Sequence, residues 1–169
     1  IRHKEAFSMN GELGRAKNIL VKIRTKDEIP IQRTPYRLDH NKTNIVDKEI
    51  QKLVDLGVLR PSTSEYNSPI CMVAKKKPGE WRVTQDFRGI NSHMLGETYP
   101  LTQLKEICDR LFGKTHFSTF DLMHGFFQLP LHPDSMEKTA FSTPQGHWEY
   151  TTLPQGLKIS PSVFQRYMT

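Results

Sequence analysis

The 169-residue sequence predicts an α+β fold on three observations. Helical periodicity with end signals recurs in three separated segments, 44–57, 102–113 and 160–168. Segments that alternate apolar residues with period two lie between and before them, at 18–25, 68–87, 116–122 and 139–153. The two kinds of segment mix without the strict strand–helix–strand rhythm of a parallel sheet.

In chain order, "NILVKIRT" (18–25) alternates Ile19, Val21 and Ile23 and predicts one strand. "IPIQRTPYR" (29–37) is expected to be extended, because proline holds its predecessor out of the helical region. In "NIVDKEIQKLVDLG" (44–57), Asn44 is placed to cap a helix and Gly57 to end it. Its apolar face would be Ile45, Ile50, Leu53 and Val54. "SPICMVAKKKPGEWRVTQDF" (68–87) reads as two strands joined at Pro78-Gly79, with Met72/Ala74 on one arm and Trp81/Val83 on the other. "TQLKEICDRLFG" (102–113) predicts a helix capped by Thr102, with Leu104, Ile107, Cys108 and Leu111 facing inward. "HFSTFDL" (116–122) predicts a strand with Phe120 and Leu122 on one face and Thr119 and Asp121 on the other. "TAFSTPQGHWEYTTL" (139–153) is a hairpin turning at Pro144-Gln145-Gly146. "SPSVFQRYM" (160–168) opens a helix with Ser160 as cap and Pro161 at the first helical position.

The length suits one domain or two small lobes. Net charge is +6, unevenly spread: residues 1–90 carry +7 and residues 91–169 carry −1. A basic half joined to a near-neutral half suits a polyanion partner on one side, although excess surface lysine has the same composition. Cys71 and Cys108 stand outside any C-x-x-C pattern and read as reduced core thiols of an intracellular protein. No apolar run approaches a membrane span and no signal peptide opens the chain, so no membrane partner is expected. The start at Ile1 and the stop inside a helix read as a piece of something longer. The histidines lack metal-ligand spacing, and neither a P-loop nor a Gly-x-Ser-x-Gly elbow occurs.

Three constellations carry chemistry. "KKKPGEWR" (75–82) can aim ammonium groups at phosphates with Arg82 as a forked donor, or can be a solubilising hairpin tip. "TLPQGLKISPSVF" (152–164) can set backbone N–H groups and a Gln amide beside a ligand, or can be an ordinary strand-to-helix connection. Asp121, set among Phe120, Phe126 and Phe127, suits a hard cation beside a flat or sugar-like ligand; it can equally cap local backbone donors.

Together and in order, "RPSTSEYNSPICMVAKK", "YPLTQLKEICDRLFGKTHFSTFDLMHGFFQLPL" and "LPQGLKISPSVFQ" resemble the reverse transcriptase of LTR retrotransposons, most closely the gypsy class. The resemblance spans roughly residues 29–168. It implies a right-hand polymerase: a lead-in at 1–28, fingers at 29–95 and a partial palm at 96–169. It implies RNA-directed DNA polymerisation, with dNTPs and an RNA or DNA template-primer as partners, inside the remainder of a Pol polyprotein. A cytoplasmic setting in a virus-like particle is implied likewise. Asp121 would be the first of three aspartates that hold two Mg2+ ions, with the carbonyl of Leu122 a further ligand. Lys77 or Lys76, with Arg82, would grip the triphosphate, and the amides of His124 and Gly125 would lie against it. Phe126 would be the ring that excludes a ribose 2′-hydroxyl, and Gln155 would contact the sugar. Asp86, Arg88 and Gly156 fall where the family touches the template. No Asp-Asp pair occurs in the sequence, so the second and third carboxylates are missing and this chain alone is expected to be inactive. The alternative is a non-catalytic nucleic-acid-binding or structural remnant of a retroelement.

Overall fold

The computed structural model describes residues 11–100 and 103–169. Helix α1 (His40–Asp55) begins four residues before Asn44, because Asp39 is the better cap: its Oδ1 accepts from Lys42 N at 2.9 Å and its Oδ2 pairs with Lys42 Nζ at 2.8 Å. Val46, not Ile45, joins Ile50 and Leu53 in the core. At its far end Gly57 takes φ +66°, which lets Gly57 N donate to Val54 O and Val58 N to Leu53 O, both at 2.8 Å. The chain then enters β1 (Leu59–Pro61), a short strand that the sequence reading missed because three residues show no periodicity.

The expected hairpin is present. Strands β2 (Ile70–Ala74) and β3 (Trp81–Gln85) pair antiparallel, with Met72 opposite Val83 and Ala74 opposite Trp81. A short helix α2 (Arg88–His93) follows, also unforeseen. The second hairpin joins β4 (Phe141–Thr143) to β5 (Gly146–Tyr150) across Pro144-Gln145, and β1 pairs with the outer edge of β5 to give the order β1-β5-β4. Helix α5 (Ser160–Met168) carries Pro161 in its first turn, but Ser160 does not cap it. Its hydroxyl donates to Pro154 O at 2.8 Å instead, tying the helix back to the preceding loop.

Four further expectations fail. Segment 18–25 forms no strand, and its first residue, Asn18, is left-handed at φ +60°. Val21 bridges Leu131 and Thr25 bridges Met94, so its two ends bond to different neighbours. Its alternation is nonetheless real, since Val21 and Ile23 are buried in the core. Helix α3 (Leu104–Leu111) forms with Gln103 at the cap position, Thr102 lying outside the described residues, and its apolar side faces outward: Ile107 and Leu111 are exposed. Segment 116–122 pairs with no strand among the described residues and is exposed throughout, Phe120 at 78%. The cysteines are free but not core thiols, Cys71 being half-buried and Cys108 exposed.

The core runs through the whole described chain outside 103–122. It joins Val21 and Ile23 to Val46 and Ile50 of α1, Phe87 and Ile90 beside α2, Phe141 and Tyr150 of the second hairpin, and Val163 of α5. Short connections complete it: a 3-10 turn at Gly125–Gln128, α4 (Pro133–Met136), and a second 3-10 turn at Glu137–Thr139. No described helix is long and apolar enough to cross a membrane.

Candidate nucleotide and template site

A cavity of about 410 Å³ opens where the first hairpin, α1, the 3-10 turn and the 152–156 loop converge. Its basic residues are Lys75 and Arg82, from the two arms of the β2–β3 hairpin, and Lys52 of α1, with Glu49 beside them; His124 and Gln155 reach it from later segments of the chain. Its floor is aromatic: Phe127 stacks on Tyr150 at 6.0 Å between ring centroids and on His124 at 5.8 Å. The Tyr150 hydroxyl, buried and pushed well above the usual phenol range by desolvation, donates to Gln85 Oε1 at 2.7 Å. That bond locks a strand residue of one hairpin to a strand residue of the other. The cavity is therefore a concave surface that brings cationic side chains and flat aromatic rings together.

Lys76 and Lys77 do not line this cavity. Both are exposed at the turn, where Gly79 at φ +82° reverses the chain, and Lys77 Nζ lies 3.1 Å from Glu80 Oε1. The same carboxylate sits 3.8 Å from Lys75, so Glu80 offsets the charge of two lysines of the 75–77 run. His124 takes a left-handed conformation at φ +49°, which swings the chain into the 3-10 turn and turns Phe126 away from the cavity. Phe126 packs edge-on to Phe164 of α5 at 5.1 Å, and Gly125 lies so close that a Cβ there would meet the Phe164 ring at 3.0 Å. Phe127, not Phe126, faces the cavity.

The three residues read as template contacts do come together. Asp86 is 7% exposed and accepts from Arg88 Nε at 2.8 Å, Arg88 NH2 at 2.6 Å and Tyr36 Oη at 3.0 Å. The Arg88 guanidinium, foremost, and the Tyr36 hydroxyl hold that carboxyl well below the usual carboxylate range. Gly156, at φ +94°, lies over Phe87, 3.4 Å from its ring to the position of an added Cβ. Asn91 of α2 clamps the same loop, donating from Nδ2 to Gly156 O at 2.9 Å and accepting at Oδ1 from Lys158 N at 2.8 Å. Arg88 is thus held flat against Asp86 while its side chain stays 75% exposed.

Asp121 and Leu122 stand apart from these groups, exposed on the unpaired 114–122 segment. Among the described residues no three His, Cys, Asp or Glu side chains come close enough to hold a metal ion. One exposed carboxylate does not make a divalent site, so the described residues by themselves do not fit the expected pair of Mg2+ ions. The sequence reading also missed Tyr36, Gln85, Asn91 and Tyr150. Gln85 and Tyr150 could have been found as polar residues in phase with inward positions of their strands. Nothing local marks Tyr36, which meets Asp86 only through the fold.

A family model described as reverse transcriptase (RNA-dependent DNA polymerase) matches residues 73–169. The Pol polyprotein of transposon 412 from Drosophila melanogaster is 40% identical over 152 residues, which is 87% of this chain and 12% of that protein. The chain thus spans about an eighth of that relative's length. The prototype foamy virus protease–reverse transcriptase superposes with a TM-score of 0.83 at 28% identity, over 94% of this chain and 21% of that one. The foamy viral protease–reverse transcriptase in complex with RNA/DNA hybrid superposes with a TM-score of 0.78 at 26% identity, over 94% and 21% of the respective chains.

Proposed function

From the premise that this chain belongs to the reverse transcriptase family, we propose that it forms the fingers (29–95) and first part of the palm (96–169) of a retroelement polymerase. The parent extends a primer with dNTPs on an RNA or DNA template, inside the cell. One observation carries the reading: Lys75, Arg82, His124 and Gln155, from three separated motifs, line a single cavity with an aromatic floor. A triphosphate needs several fixed cationic donors and a sugar needs a flat wall, and this cavity offers both.

The roles divide accordingly. Arg82 and Lys75 receive the triphosphate, the latter being the lysine of the 75–77 run that faces the cavity. Gln155 meets the sugar. Asp86 fixes the fork of Arg88, which with Gly156 meets the template strand. Asp121 and the Leu122 carbonyl contribute to a divalent-metal site whose other ligands are not among the described residues. Phe126 is the proposed steric gate; Phe127, which lines the cavity, is its competitor.

The test uses the whole polymerase. Arg82→Ala is expected to raise KM for dNTPs at least tenfold, the loss of one charged hydrogen-bond pair. An unchanged KM overturns the reading. Phe126→Val and Phe127→Val then decide the gate, since only the true gate admits ribonucleotides when shortened. Asp121→Asn should abolish extension while template binding persists; full activity would remove Asp121 from the site.

A further inference from the structure

A second cavity, of about 450 Å³, shares no lining residue with the nucleotide cavity and has the opposite charge. Glu28, Glu65, Glu137 and Glu149 line it, on a chain whose net charge is +6. Two of these carboxylates are already balanced. Glu149 is buried against Arg60, whose NH2 lies 2.6 Å from Oε1, and Glu28 pairs with the buried Lys138 at 2.8 Å. Glu65 and Glu137 form no ion pair among the described residues and stand exposed at the mouth. A separate observation points inward. Tyr66, also lining the cavity, is 5% exposed, and its hydroxyl has no hydrogen-bond partner among the described residues. Burial pushes that phenol up, and the nearby carboxylates of Glu28, Glu137 and Asp27 push it further in the same direction. A buried hydroxyl without a partner is costly, and a ligand that donates to it removes the cost.

We propose that this cavity binds an organic cation, an ammonium or guanidinium group seated between the Glu65 and Glu137 carboxylates with an N–H donated to the Tyr66 hydroxyl. Such a group supplies what the cavity lacks: positive charge at the mouth and a donor at the base. A metal ion does not fit, since no cluster of three ligating side chains is present among the described residues. A phosphate is repelled by the same carboxylates. The source is either a free polyamine or a basic side chain of a partner protein.

The experiment is calorimetric titration of the 169-residue chain at low ionic strength with spermidine in one arm and N-acetyl-arginine amide in the other. At least one probe is expected to bind, and Glu65→Gln/Glu137→Gln is expected to weaken it about tenfold, the scale of lost charged hydrogen bonds. Tyr66→Phe should weaken it less, and Lys77→Ala, on the other hairpin, should leave it unchanged. Spermidine alone identifies a free polyamine, and binding of the arginine amide identifies a partner's side chain. The absence of binding by both probes, or binding undiminished in the double glutamine variant, overturns the proposal. Because Glu65 and Glu137 are exposed, that variant remains decisive even if Tyr66→Phe disturbs folding.

Discussion

Helices α1 and α3 have the same kind of sequence and opposite surroundings. Each repeats apolar residues at three- and four-residue spacing with charged residues between them. In α1 that stripe closes on the core, burying Val46, Ile50 and Leu53 against β1 and β3. In α3 the stripe meets nothing described: Ile107 and Leu111 are exposed, and Phe112, just past its end, is 90% exposed. Periodicity therefore specifies that a helix forms and which side is apolar. Whether that side is covered depends on a facing surface, which the local sequence does not contain. The same distinction separates two of the predicted strand regions, because β2 has β3 six residues away while 116–122 pairs with no strand among the described residues.

Substitution can break that comparison most directly at matched leucines. Leu53→Ala in α1 should cost about 2–5 kcal/mol in chemical unfolding, by removing buried methyl groups and leaving a cavity. Leu111→Ala in α3 should stay within about 0.5 kcal/mol of wild type, since its side chain is already in water. Equal losses at both positions would mean that α3 is covered in solution.

A smaller effect concerns Asp86, the buried counterpart of the exposed Asp121. The folded protein holds the Asp86 carboxyl below its unfolded value of about 3.9, so its stabilisation is complete above about pH 5 and is lost as pH falls toward the folded value. Asp86→Asn should cost about 1.5–3 kcal/mol at pH 7, the worth of hydrogen bonds to a charged group. The gap from wild type should narrow in urea titrations near pH 3.

The smallest change in stability should come from Phe112→Ser with Phe120→Ser, both rings being exposed. The unfolding midpoint should hardly move, while light scattering at high concentration should fall as the apolar patch is removed. A lowered midpoint would show that these rings pack.

Much of the site was legible because its signals are short-range. The Lys75–Arg82 hairpin announces itself by Pro78-Gly79 and by alternation on both arms, and it forms in the expected register. Gln155 and Gly156 stand in "LPQG", inside the stretch that the family model matches. The partners of these residues were not legible. Tyr36 reaches Asp86 across 50 positions, and Tyr150 reaches Gln85 across 65, with no local pattern linking either pair. That Phe127 and not Phe126 lines the cavity was not legible either, and the left-handed conformation of His124 shortly before them, uncommon for a non-glycine residue, is announced by no local pattern.

The amino-acid order alone determined the mixed α+β character, the two hairpins, the helix-ending Gly57 and the family membership, because capping, turn chemistry and apolar spacing act within a few residues. Only the tertiary structure decided which apolar faces are covered, which lysine of the 75–77 run lines the cavity, and that a carboxylate-lined cavity holds a phenol without a hydrogen-bond partner among the described residues. Those outcomes depend on which distant segments meet, since burial and charge compensation are properties of the contact and not of either segment.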